Sequence, residues 1–588
     1  MTETTPPMPR DISPDRAPDA TARRRHPDAT APSPTPPSPA ALRDAAQPGT
    51  PPTPAAPRAA PLDRRRFILA ASAGGALGAG WIASPFPAAA QDTTQAQDDP
   101  TPPAAPVFGF ETVLQAARDR ARESHQNRRQ TLSGVFSDLD YDAYRAIRYR
   151  EDRRIWRGEG LGFEIDLMPP GAIYRDVVDI AVVEDGAVRP LPFDPSALHF
   201  DEARFGLPDG RAPEGAAEGH AWTGFRLRYP INRPEMHDEI SVFQGASFFR
   251  GIGRDQIFGL SARALAINTG APGGEEFPVF TRFWLHRPSR NATEFKLHAL
   301  LESQSVVGAY EFLVRPGAET VVDVRSTLIP RVELTQVGIA PLTSMYFFGA
   351  KERGRVDDYR DAVHDSMGLQ MLTGHGERLW RPLANPATLQ LSAFQDVNPR
   401  GYGLVQRRRA FEDYQDAEAR YEKRPSAWVT PLDEWGEGDT MLVEIPTDSE
   451  FNDNIVSFWR PRGALAAERE HPFAYRLYWC ALPPDEAPSA RVRETRAGRS
   501  VNEGERRLLV VDFDIGERPI GALRARAETS AGRIMHLNLR SLPRTGVARV
   551  VIGFNPPDAG GAEFRLQLVK AEGGEPVSET WLYRWTPA

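Results

Sequence analysis

The stretch GAYEFLVRPGAETVVDVRSTLIP, residues 308–330, decides the fold. Apolar and polar residues alternate through both halves, the period of two that sends successive side chains to opposite faces of a strand. Between the halves stands Pro316-Gly317, a pair suited to a tight turn. The stretch reads as a β-hairpin. The same pattern runs outward through EISVFQGASFFRGIG (239–253), IFGLSARALAIN (257–268), PVFTRFWLHRP (278–288) and TEFKLHALLES (293–303). A second set follows near the C-terminus: RRLLVVDFDI (506–515), RIMHLNLRSL (533–542), GVARVVIGFN (546–555) and AEFRLQLVKA (562–571). Many short strands with turn signals roughly every ten residues indicate β-sandwiches. At 588 residues the chain exceeds what one hydrophobic core supports, so two folded domains are expected. The polar stretch APSARVRETRAGRSVNEGE (487–505) is the expected boundary between them. Helical spacing is confined to FGFETVLQAARDRAR (108–122) and a short second segment in YDAYRAIRYR (141–150).

Before residue 107 the chain reads differently. Of its 55 prolines, 16 fall in residues 1–60, and residues 1–62 are expected to be disordered because they bury too little apolar surface. Arg64 and Arg65 then precede a weakly apolar Ala/Gly-rich segment that ends in Ala88-Ala89-Ala90. This predicts a twin-arginine export signal over 63–90, cleaved near Ala90, and delivery to the periplasm. Residues 91–106 read as a linker.

The composition excludes several function classes. A net charge of −8 is spread along the chain, with basic residues alternating with acids, so no nucleic-acid-binding face is expected. The single cysteine, Cys480, cannot form an intrachain disulfide. There is no Gly-x-Ser-x-Gly elbow and no phosphate-binding loop, and Gly158-Glu159-Gly160-Leu161-Gly162 follows no strand-to-helix pattern. The 11 histidines are scattered, so neither a metal site nor a cofactor is expected.

Acid chemistry remains. Residues 411–459 set carboxylates among Tyr414, Tyr421, Trp428, Trp435 and Trp459. Such a mixture is either the rim of a core or a sugar site, where rings stack on pyranose faces and acids handle hydroxyl protons. Glu450 and Asp453 stand between two strand-like runs, MLVEIP and IVSFW, on a connection held at both ends. As an alternative, Asp453 is a turn residue at a strand end. Glu275 and Glu276 read as a solvated loop.

Several residue strings resemble the periplasmic glucan biosynthesis proteins G and D. They include VFQGASFFR (242–250), GLSAR (259–263), GEEFP (274–278), VHDS (363–366), WRPL (380–383), NPRG (398–401), YQD (414–416) and YEKRPS (421–426). VEIPT (443–447), DNI (453–455) and ETWLY (579–583) continue the series in the same order, over about 107–585. The twin-arginine segment leans toward the D type. The resemblance implies a mainly β fold: a large galactose-mutarotase-like β-sandwich over 107–490, followed by a small immunoglobulin-like β-sandwich over 500–588. It also implies β-1,2-glucan as ligand.

Carried over by motif, Asp453 is the expected general acid and Asp365 the general base of an inverting glycoside hydrolase. The expected sugar contacts are Glu450, Tyr421, Arg424, Trp428, Trp380 and His364. Core packing is the rival reading for Trp428, and an ion pair with Arg360 or His364 is the rival for Asp365. Two classes stay open: a β-1,2-glucan hydrolase or transglycosylase, and a non-catalytic glucan-binding partner of an inner-membrane glucosyltransferase.

Overall fold

The computed structural model describes residues 108–587 apart from 485–489, 503, 505, 544 and 545. The disordered extension, the twin-arginine signal and nearly all of the linker expected from the sequence lie outside the described residues. Among the described residues the strands form two large sheets, one of ten strands and one of fourteen, with smaller sheets beside them. The fold is mainly β.

The hairpin that opened the sequence reading forms as expected. Val306–Arg315 and Thr320–Pro330 pair antiparallel from Val306 opposite Pro330 to Arg315 opposite Val321, with the turn at 316–319. Its inward row, including Tyr310, Phe312, Val322 and Val324, is buried against the other large sheet. Aromatic rings stitch the two layers together. Phe243 and Phe249 of the ten-stranded sheet meet Phe312 edge-on, each at 5.4 Å between ring centres, and Phe249 also meets Trp479. Each buried aromatic of this kind contributes roughly 1.5–3 kcal/mol relative to exposure. The helix Phe110–Ala121 forms where its spacing predicts, and lays Phe110, Val113, Leu114 and Ala117 on the opposite face of the fourteen-stranded sheet. The second expected helix is reduced to Tyr141–Arg145.

The expected boundary at 487–505 is corrected. Arg491–Arg499 is a strand that pairs antiparallel with Arg507–Asp514 in a four-stranded sheet. The C-terminal β unit therefore begins before residue 500. The strand is hidden in the sequence because two of its three buried positions, Glu494 and Thr495, are polar. Thr495 accepts a hydrogen bond from the Trp581 indole at 2.9 Å, and Glu494 is ion-paired to Arg408. Leu523–Thr529, Ala562–Lys570 and Thr580–Trp585 complete this end of the molecule. They join the fourteen-stranded sheet where Thr580 and Trp581 run parallel to Leu379 and Trp380. Trp380 consequently belongs to the C-terminal core, packed among Val492, Val511, Phe564 and Trp581.

Candidate functional site

The ten-stranded sheet turns Phe225, Phe243, Phe249, Ala262 and Leu342 into the core. Alternation puts their chain neighbours, among them Arg226, Val242, Arg250, Ser261 and Thr343, on the other face. The candidate acids gather over that face. Asp453 stands near the end of the connection 445–454, between strands Glu437–Glu444 and Ile455–Pro461. The next residue, Asn454, is buried and anchors this connection. Its side-chain oxygen accepts from the Tyr346 amide at 2.8 Å, and its nitrogen donates to the carbonyls of Tyr346 and Ile445 at 3.0 Å. Such a clamp fixes the backbone under Asp453 while leaving its carboxyl about one-third exposed, with Arg250 at 4.0 Å.

Asp365 follows the short strand Val363–His364 and is buried; its amide donates to the Met345 carbonyl at 2.9 Å. The Arg424 guanidinium is bonded directly to its carboxylate. Burial pushes the Asp365 carboxyl above the usual carboxylate range, and the nearby charge of Asp453 pushes the same way; Arg424 and Arg250 oppose both. Asp365 therefore senses the charge of Asp453, which comes from a segment far away in the chain, and Arg250 stands near Asp453 while its charge reaches Asp365. The Arg424 stem lies across Gly259, where a β-carbon would come within 2.9 Å of it.

A second arginine organises the far side. Arg360 bonds Asp358, Asp416 and Glu450, at 2.8, 2.8 and 2.7 Å. The Tyr421 hydroxyl donates to the same Glu450 oxygen at 3.4 Å, and Arg424 stacks over the Tyr421 ring at 4.3 Å. Asp365, Arg424, Tyr421 and Glu450 are thus linked in one continuous chain of contacts. Arg263 marks the opposite edge, bonded to Glu275 and Thr343 and stacked under Phe248 and Phe277, with Phe277 half-exposed.

Five of the eight expected site residues, Asp365, Asp453, Arg424, Glu450 and Tyr421, are brought together; three are not. Trp380 is fully buried in the C-terminal core with Arg407 over its ring at 3.5 Å, so no face remains for a sugar. Trp428 is buried against Gly401 and Gly403 and donates its indole hydrogen to Thr430. His364 is buried too, stacked flat on Tyr346 at 5.2 Å. Its pKa falls to about 3, chiefly through burial with the Lys351 and Arg408 charges adding, so it is neutral and acts as a support beneath Asp365. Tyr421 is buried, its ring lying between Arg424 and Tyr414, so it offers a sugar its hydroxyl and no free ring face. The rival ion pair for Asp365 forms with neither Arg360 nor His364 but with Arg424. Glu275 and Glu276 are not a solvated loop: Glu275 is tied to Arg263 and Thr269, and Glu276 accepts from Ser305 at 2.6 and 2.9 Å.

The sequence reading missed Arg250, Arg263 and Arg360 as site residues. A signal was present: Arg250 and Arg263 occupy the outward positions of apolar strands with no acid beside them, so their counter-charges must come from elsewhere in the fold.

A family model described as periplasmic glucan biosynthesis protein, MdoG, matches residues 108–585. The chain belongs to that family. A glucans biosynthesis protein G of Vibrio cholerae is 43% identical over 483 residues, covering 82% of this chain and 87% of the relative. The protein G of Rhodopseudomonas palustris strain BisA53 is 43% identical over 525 residues, 89% of this chain and 99% of the relative. That of Shewanella frigidimarina is 43% identical over 482 residues, 82% and 85%. Membership implies a periplasmic protein of glucan biosynthesis. The D-type leaning rested on the twin-arginine segment, which lies outside the described residues.

Proposed function

We propose that this family member cleaves the β-1,2-glucan backbone by inversion, with Asp453 as general acid and Asp365 as general base. The observation that carries this reading is the placement of two carboxyls from distant segments, a buried Asp365 bonded to Arg424 and a more open Asp453 4.0 Å from Arg250. Asp453 gives its proton to the glycosidic oxygen as the bond to the anomeric carbon breaks. A water attacks that carbon from the opposite face and loses its proton to Asp365. Burial makes Asp365 a stronger proton acceptor than a solvated aspartate, and Arg424 keeps the ionised form populated. Glu450, Arg424 and the Tyr421 hydroxyl offer hydrogen bonds to the sugar.

Incubating the purified protein with linear β-1,2-glucan tests this. New reducing ends should appear first as the α-anomer, resolved by NMR, because inversion at a β-linkage gives α. A β-anomer would reject the pair of roles. Consumption of chains without new reducing ends would indicate transglycosylation, since a sugar hydroxyl then replaces water. An unchanged size distribution with retardation in a glucan gel would indicate a binding partner of the glucosyltransferase.

The pH profile is a second check. Arg424 lowers the Asp365 pKa, so Arg424→Gln should raise it. The base works ionised, hence the acid limb of kcat/KM should move to higher pH. A profile that stays put while only KM rises would leave Arg424 a sugar contact and place the base elsewhere.

A further inference from the structure

Beyond the buried strand Gly401–Val405 the chain runs into three consecutive arginines, Arg407, Arg408 and Arg409. Arginines are normally left to water, yet all three are half-buried here and each is bonded to a different set of partners. Arg407 reaches into the C-terminal β unit, where it bonds Glu579 and, at 2.7 Å, the Val492 carbonyl. Arg408 bonds Glu494 of the same unit and, at 2.6 Å, Asp413. Arg409 turns the other way. It bonds the Arg424 carbonyl, the Ser426 hydroxyl at 3.1 Å and the Ala481 carbonyl at 2.7 Å.

The segment that leaves this triplet carries part of the candidate site. It makes the short turn Phe411–Asp413 and then presents Tyr421 to Glu450 and Arg424 to Asp365. Its packing repeats the link. The Tyr414 ring is fully buried and meets His364 edge-on at 5.4 Å and Tyr421 at 5.9 Å, while its hydroxyl donates to the Arg408 carbonyl at 3.2 Å. Glu494 and Thr495 also share with His364, Tyr346 and Lys351 the lining of a narrow cleft of about 30 Å³. From Glu494 through Arg408, Tyr414 and Tyr421 to Arg424, every step is a direct contact.

Resting on the function proposed above, we infer that the arginine triplet makes the C-terminal β unit a positioning element of the acid site: Glu494, acting through Arg408, fixes the segment that sets Arg424 against Asp365. Apolar side chains would seal the same seam as stably, because a buried ion pair gives little over a well-packed apolar pair. What guanidinium groups add is direction, since their planar donors bond along set lines. Direction matters for Arg424, whose bond to Asp365 keeps the base ionised and whose displacement would be felt in the chemical step. Glu494 is thus a positioning residue, standing on the strand Arg491–Arg499 and bonded to Arg408 rather than to the acid pair.

The test is steady-state cleavage of linear β-1,2-glucan by the full chain, with hydrogen exchange as a readout that needs no activity. Glu494→Ala should lower kcat on the order of tenfold at unchanged KM, short of the roughly hundredfold that a misplacement of about 1 Å can cost. Glu494→Gln keeps a side chain able to bond Arg408 and should recover most of the loss. Residues 411–426 should exchange faster in Glu494→Ala, while the hairpin at 306–330 keeps its wild-type protection. Unchanged kcat and KM with a lowered melting temperature would overturn the inference and leave Glu494 a purely structural residue. So would equal losses in both variants in step with their melting temperatures, a raised KM at unchanged kcat, or wild-type exchange in 411–426; each leaves the proposed function standing. A wild type that cleaves no β-1,2-glucan would overturn the proposed function, and with it the catalytic meaning of the link, even where exchange shows the link itself.

Discussion

Asp453→Asn is expected to lower turnover of β-1,2-glucan at least about a hundredfold, the usual cost of losing a general acid. Chain affinity should stay close to wild type. The substitution is isosteric, and it removes only a 4.0 Å contact to Arg250 at a partly exposed position. Asn454, not Asp453, carries the bonds that hold the connection in place. Stability should therefore change by no more than about 0.5 kcal/mol, as at other surface positions. Asp365→Asn is the less clean probe, because it strips Arg424 of a buried partner, a change that typically costs about 3–5 kcal/mol. Single-turnover kinetics with a melting control decide the matter: near-normal turnover in Asp453→Asn would mean that the proton comes from another group.

Strands were legible where one face is apolar and the other is not. The hairpin at 308–330 alternates clearly because its inner row packs on a second sheet while its outer row is mixed. Arg491–Arg499 was illegible for the opposite reason, since Glu494 and Thr495 are buried by partners that pattern reading cannot supply. The same limit explains the tryptophans. Composition reports that Trp428 is aromatic and near acids; it does not report that Gly401 and Gly403 on the next strand leave a slot for its ring. His364 precedes Asp365 in the VHDS string that carries the resemblance, yet neighbours in a chain point to different environments.

The acids fared differently. Asp365 and Asp453 come from motif resemblance, and in the fold the charge of Asp453 reaches the buried Asp365. Their arginine partners did not come from the sequence. Arg360 joins three carboxylates at positions 358, 416 and 450, and only the tertiary fold brings these segments to one point.

Trp380→Ala is expected to have the largest effect on stability, about 3–5 kcal/mol, the range for removing a fully buried large aromatic. Its indole is packed into the C-terminal core from the neighbouring strand Arg378–Pro382, on the line where Leu379 and Trp380 run parallel to Thr580 and Trp581. Truncation would open a cavity at that seam and remove the ring beneath Arg407. Arg407 also bonds Glu579, Gln370 and the Val492 carbonyl. A network with four partners does not collapse readily into the space left by one, so most of the cost should remain unrelieved. Urea unfolding should show the midpoint falling, and the C-terminal strands should lose hydrogen-exchange protection before the hairpin at 306–330. Glucan affinity measured well below the transition should be unchanged. A Trp380 that stacked on sugar would behave in reverse, with stability kept and affinity lost, and that outcome would return the residue to the site.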